Sequence, residues 1–197
     1  MYDSLKLSWS PNPSSAEKAY RAAGLVKTKG TIYLLPPDDA TLRESFNAPR
    51  RPQSRLSSGA KALCKHFERG GASSEHGIAH PFWTLPTGSN DNKTATASAI
   101  LDQMLLPTSD GAVWRNVMIL HSFVAVYEIR NRLGYGMRWT LQLDRIQQRS
   151  EQTDRPVEIK KNEDEKEGWF IKSVAFRGFV EPIEDIDVGV GDGEDSS

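Results

Sequence analysis

The stretch VYEIRNRLGYGMRWTLQLD, Val126 to Asp144, decides the fold. Both of its halves alternate between apolar and polar residues, and Asn131-Arg132-Leu133-Gly134 between them reads as a reversal, so the segment is a β-hairpin. Side chains on a strand point alternately to opposite faces. After the turn, Tyr135, Met137, Trp139, Leu141 and Leu143 therefore share one face, and Gly136, Arg138, Thr140, Gln142 and Asp144 the other. Before the turn, Ala125, Tyr127 and Ile129 oppose Val126, Glu128 and Arg130. If the apolar sets line the core, Glu128, Arg130 and Arg138 stand together on the second face. In the last strand Arg177 and Glu181 have matching parity, which makes a cluster of three arginines and two carboxylates possible across adjacent strands.

Two chemistries fit such a cluster. One is a ladder of paired charges on a solvated sheet face, ordinary and individually weak. The other is an anion site: a guanidinium presents a planar donor fork that matches phosphate or carboxylate, and Gly134 and Gly136 would let a ligand approach the backbone.

Upstream, AVWRNVMIL and FVAVYEI read as two strands around a turn at His121-Ser122, and downstream WFIKSVAFRGFVEP reads as another. The polar segment from Gln147 to Gly168 reads as a long hairpin loop. SSGAKALCKHFERGG is an amphipathic helix with Ser57 or Ser58 as cap, Ala60, Leu63, Cys64 and Phe67 at helical spacing, and Gly70-Gly71 as stop. Lys61 and Lys65 give it a basic outer face. NDNKTATASAILDQMLL is a second helix, capped by Asn90 or Asp91, with Ala97, Ile100, Leu101 and Met104 inward. Phe82 and Trp83 pin the loop between the helices to the core. These readings predict an α+β domain over 56–183, two helices packed on an antiparallel sheet of about four strands.

The flanks read as disordered tails. Residues 1–55 carry SPNPSS, LPPDD and NAPRRPQSR, with one short helix at SAEKAYRAAGL, capped by Ser15 and stopped near Gly24, and an edge strand at TIYLL. Residues 184–197 read as an acidic tail. The chain has 197 residues, 38% of them hydrophobic and 26% charged, enough for one domain with a real core and polar enough to expect disorder. Its formal net charge of -1 excludes a whole-surface attraction to nucleic acid, but charge is unevenly spread. Seven Lys or Arg residues and two acids lie between Arg43 and Arg69, whereas seven acids and no base lie from Glu181 onward. The lone Cys64 fits a reducing compartment, and no apolar run is long enough to span a membrane, so a cytoplasmic or nuclear protein is expected.

The runs YEIR, GYGMRW and FRGFVEP, preceded by AKALCKHFERG and an NK…A helix, resemble an uncharacterised eukaryotic family with members in fungi and plants. The resemblance covers roughly 58–182. No activity comes with it, so it implies no catalytic residue.

Other constellations are weaker. TGSNDNKTATAS places Lys93 and Thr94 at a helix start, but a phosphate-binding loop needs glycine before the lysine and Asn92 stands there, so a capped helix is the better reading. Cys64 and His66 point to opposite sides of one helix and cannot share an ion, and Gly77 and Pro81 break any helical pairing of His76 with His80. Cys64, on the apolar stripe, is packing rather than a nucleophile. Glu68, Glu75, His66 and His76 are acid and base types that composition alone cannot select. No cofactor or metal is expected. The leading expectation is a non-enzymatic binding or adaptor domain recognising RNA, a phosphorylated ligand or an acidic protein through Arg130, Arg138, Arg177 with Glu128, and through Lys61 and Lys65. The alternatives are a small-molecule enzyme with its pocket between the 73–88 loop and the sheet, or a subunit contact anchored by exposed Trp114 or Trp169.

Overall fold

The computed structural model describes residues 5–69, 82–108, 111–145 and 168–182, with 67–69 described by backbone alone. The 147–167 loop, Glu75, His76, His80 and the 184–197 segment therefore lie outside the described residues. Four helices precede four strands: α1 (Ser15–Ala22), α2 (Asp39–Asn47), α3 (Ser58–Arg69), α4 (Asn90–Leu105), β1 (Trp114–Ile119), β2 (Ala125–Arg130), β3 (Gly136–Arg145) and β4 (Trp169–Val180). The strands form one antiparallel sheet in the order β1-β2-β3-β4, so the protein is α+β, with one helix, α2, beyond the two of the domain and the short one at SAEKAYRAAGL that the sequence suggests.

Register assigns the faces. Val117, Tyr127, Trp139 and Phe176 stand opposite one another across the four strands, and all but half-buried Phe176 are fully buried. The helices cover this face: the Phe46 ring of α2 meets Phe176 at 4.6 Å and Phe179 at 6.2 Å. Gly59 of α3 lies under that ring, where a Cβ would overlap it. The next row, Asn116, Glu128, Arg138 and Gly178, points to the opposite face.

Helix starts follow hydroxyl caps. Ser14, in an extended conformation, accepts from the Glu17 amide; Ser57 accepts from Ala60 and Ser89 from Asn92. For α1 the cap is thus Ser14 instead of the expected Ser15, and for α4 it is Ser89 instead of Asn90 or Asp91. The inward stripe of α4, Ala97, Ile100, Leu101 and Met104, is buried as its spacing predicted. Helix α2 went unread because its inward face is only Leu42 and Phe46, set between prolines, yet Asp38 caps it by accepting from Thr41.

The expected boundary at 56 does not describe the packing. Tyr20, Leu25, Ile32, Leu42 and Phe46, all from the segment read as mostly disordered and outside the domain, belong to the same buried core as the sheet. The segment covers the outer edge of β1, where Val26 donates to the Arg115 carbonyl at 2.8 Å, Ile32 to that of Val117 at 3.0 Å, and Ile119 to that of Gly30 at 2.9 Å. TIYLL supplies one bridge, Thr31 to Met118, in place of a strand. The Tyr20 hydroxyl accepts from the Val117 amide and donates to Asn116 Oδ1, each at 2.7 Å. A low count of apolar residues suggested disorder; these few are sufficient because each docks on a sheet formed elsewhere. Tyr20→Phe, which leaves Val117 N–H and Asn116 buried without this partner, is expected to cost about 1–3 kcal/mol. A thermal melt unchanged from the parent would separate this segment from the folded domain.

Candidate functional site

Glu128 lies mid-strand in β2, with Arg138 directly opposite on β3 and Arg130 two residues along. Arg130 Nε donates to Glu128 Oε1 at 2.6 Å, and Arg138 Nε to Oε2 at 2.5 Å, with Arg138 Nη2 also against Oε2. Arg130 Nη1 donates to the carbonyls of Gly134 and Glu181, each at 2.7 Å. Glu128 and Arg130 are 2% and 3% exposed, and every residue of β2 is buried. This is neither a solvated ladder nor an open anion site at Arg130. It is a buried clamp joining β2, the β2–β3 turn and the end of β4.

The glycines serve the clamp. A Cβ on Gly136 would overlap the Ile129 carbonyl oxygen and stand 2.8 Å from Arg130 Cγ, so Gly136 makes room first for the β2 backbone and then for the Arg130 side chain. Gly134, at φ 90° in a turn closed by its amide to the Asn131 carbonyl, presents its own carbonyl to Arg130.

Strand β4 carries a bulge at this level. Trp139 pairs with Phe176 and Arg138 with Gly178, leaving Arg177 as the extra residue. Phe176 and Phe179 both pack on the core, so Arg177 falls with Arg138 on the open face, and it is exposed. The same bulge reverses the parity beyond it. Glu181, expected beside the arginines, turns its carboxylate to the helical side, against His66, and its backbone carbonyl accepts from Arg130. Lys61, half-buried, and Lys65, exposed, belong to α3, whose His66 ring packs on Phe179; the sheet separates them from Arg138. Five of the six expected site residues therefore divide into a clamp, Glu128 with Arg130 and Arg138, and a helix face, Lys61 and Lys65. Arg177 joins Arg138 at the surface.

A second cluster went unread. His66 Nε2 lies against Glu181 Oε1, and Trp83 Nε1 donates to the same oxygen at 3.4 Å. Aromatic rings surround the pair: Trp83 lies 5.2 Å from His66 and 4.6 Å from Phe179, and Phe82 stacks on Tyr135 at 5.5 Å and 7°. Burial, and then the Glu181 charge, raise the Tyr135 phenol above its ordinary pKa. Imidazole with carboxylate is the raw material of acid–base chemistry. These residues come from α3, a loop, the β2–β3 turn and the end of β4, and no local motif joins them. The expected pinning by Phe82 and Trp83 holds, with Trp83 fully buried.

Trp114 is buried and cannot anchor a partner as expected, and the Arg145 guanidinium covers the half-buried Trp169 ring at 4.8 Å. Among the described residues no three His, Cys, Asp or Glu side chains are placed to hold a metal, and no helix is long and apolar enough to cross a membrane. Comparison with protein-family models, with curated proteins and with solved structures finds no match to this chain.

Proposed function

We propose that this chain is a non-enzymatic binding domain that meets an anionic partner on the open face of β3 and β4, through Arg138 and Arg177. The observation that supports it is the bulge. It sets an exposed guanidinium, with no carboxylate partner among the described residues, next to one whose carboxylate is already shared with Arg130. Two arginines share the Glu128 carboxylate and Arg177 adds a third cation beside them, which leaves this level of the face positive. The chain's overall charge does not oppose this: all 25 Lys and Arg precede residue 183 while six of the 26 acids follow it, so residues 1–182 carry a formal charge of +5. Arg130 and Glu128 hold Arg138 in place, and Lys61 and Lys65 fall outside the contact. Membership of the fungal and plant family and a cytoplasmic or nuclear location belong to this proposal as well.

Arg177→Ala is the cleanest test, because an exposed side chain without packing changes stability by no more than about 0.5 kcal/mol. Binding to inorganic polyphosphate at low salt, read by competition, is expected to weaken several-fold in Arg177→Ala and further in Arg177→Glu, with melting unchanged. Equal affinity in all three proteins would remove Arg177 from the contact, and no polyanion binding by the parent would end the proposal. The His66–Glu181 pair favours a second reading, a small-molecule enzyme acting beside Phe82, Trp83 and Tyr135. A turnover that His66→Gln abolishes while Arg177→Ala leaves it intact would select that reading.

A further inference from the structure

The open face holds more than cations. Following β3, Arg138, Thr140, Gln142 and Asp144 stand on it, and register brings Arg177, Ala175, Ser173 and Phe170 beside them. Phe170, opposite Asp144, is 43% exposed, a large ring placed where water rather than core receives it. Six residues of strand separate the arginine level from the Phe170 level, about 20 Å. Between them lie short hydrogen-bonding side chains, with Ser173 Oγ donating to Gln142 Oε1 at 2.8 Å and Lys172 paired to Asp144 at 3.4 Å.

A second ring occupies the same end of the sheet. The β1–β2 turn, closed by Leu120 N to the Val124 carbonyl at 3.0 Å and Phe123 N to that of Leu120 at 2.9 Å, lies where β3 and β4 run on past β2. Its last residue, Phe123, has φ 58° and is 92% exposed. A three-residue turn of this kind favours glycine or asparagine at that position, and a bulky residue there is strained. Neither packing nor backbone preference accounts for a phenylalanine. Strain of this sort is retained where a side chain has another use.

We infer that the occupant of this face is a single-stranded nucleic acid, its phosphates at Arg138 and Arg177 and its bases stacked on Phe170 and Phe123. The inference rests on the proposed anion contact and adds the aromatic half. Cations that track a backbone, alternating with rings that offer a π-face to any base, are the general requirement for binding single strands without strict sequence preference. A paired duplex hides the base faces that Phe170 and Phe123 would need. An acidic or phosphorylated peptide would use the arginines and ignore the rings.

The test compares three probes on the full chain by fluorescence anisotropy at low salt: a twelve-nucleotide oligo(U), an RNA duplex of the same length, and inorganic polyphosphate as competitor. The parent is expected to prefer oligo(U) over duplex. Phe170→Ala and Phe123→Gly should each weaken oligo(U) binding about tenfold and leave polyphosphate binding unchanged, whereas Arg177→Ala weakens both. Phe123→Gly should also melt higher than the parent, because glycine adopts the turn conformation without strain. Equal oligo(U) affinity in the phenylalanine variants, or equal affinity for duplex and single strand, overturns the inference while an Arg177-dependent polyphosphate affinity leaves the anion reading standing. No binding of any of the three probes overturns both.

Discussion

Trp139→Ala is expected to lose about 3–5 kcal/mol of stability, the cost of removing a large aromatic side chain from a core that cannot collapse around the void. Trp139 is 0% exposed at the centre of the sheet. Its ring meets Tyr127 at 6.0 Å and Phe176 at 5.5 Å, and Phe176 in turn meets Phe46 of α2. The void would therefore open where sheet and helical layer join. Trp139→Phe should cost far less than the alanine change. It keeps most of the apolar area and removes a buried indole N–H that finds no acceptor among the described residues, so part of the lost packing is offset. Chemical denaturation of both variants checks the order; an alanine variant as stable as the parent, or a phenylalanine variant no better than alanine, would mean that the helices do not pack on this face.

The facing of β2 and β3, and with it the position of Trp139, was legible in the sequence because each half of Val126–Asp144, on either side of the turn, alternates between core and non-core residues. The stripe of α4 was legible for the same reason, four buried residues at helical spacing. Where periodicity is broken, reading stopped. Leu42 and Phe46 make too short a stripe to stand out between prolines, and Tyr20, Leu25 and Ile32 show no period at all, since they are held one at a time against the edge and end of a finished sheet. The site was half legible for a related reason. Parity placed Glu128, Arg130, Arg138 and Arg177 on one face, but Glu181 lies beyond a bulge, and one extra residue reverses every side chain after it. Nothing in AFRGFVEP marks that residue except Gly178, at φ 149°. The burial of β2 was also hidden, because polar residues on alternate positions read as solvent-facing unless their partners are known.

Glu128→Ala is expected to cost about 3–5 kcal/mol, since breaking a buried ion pair leaves an uncompensated charge inside. The loss falls mainly on Arg130. Its Nη1 keeps the carbonyls of Gly134 and Glu181, but its guanidinium, 3% exposed and carried over Gly136, loses the Glu128 carboxylate and gains Arg138 as a bare like charge. Arg138, partly open to water, tolerates the change better. Two further variants distinguish a clamp from a general need for polarity. Glu128→Gln keeps the shape and an acceptor oxygen but removes the charge, so it should fall between parent and alanine. Glu128→Leu combined with Arg130→Met replaces both buried charges with apolar groups and should cost less than the two single changes added together, because each single change includes the penalty of stranding the other partner. Urea titrations of the four proteins read this coupling directly, and additive losses would show that Glu128 and Arg130 contribute independently. The same series bears on binding: if Glu128 orients Arg138 toward the open face, Glu128→Gln should weaken polyphosphate binding even though it makes the face more positive, whereas a purely electrostatic role would strengthen it.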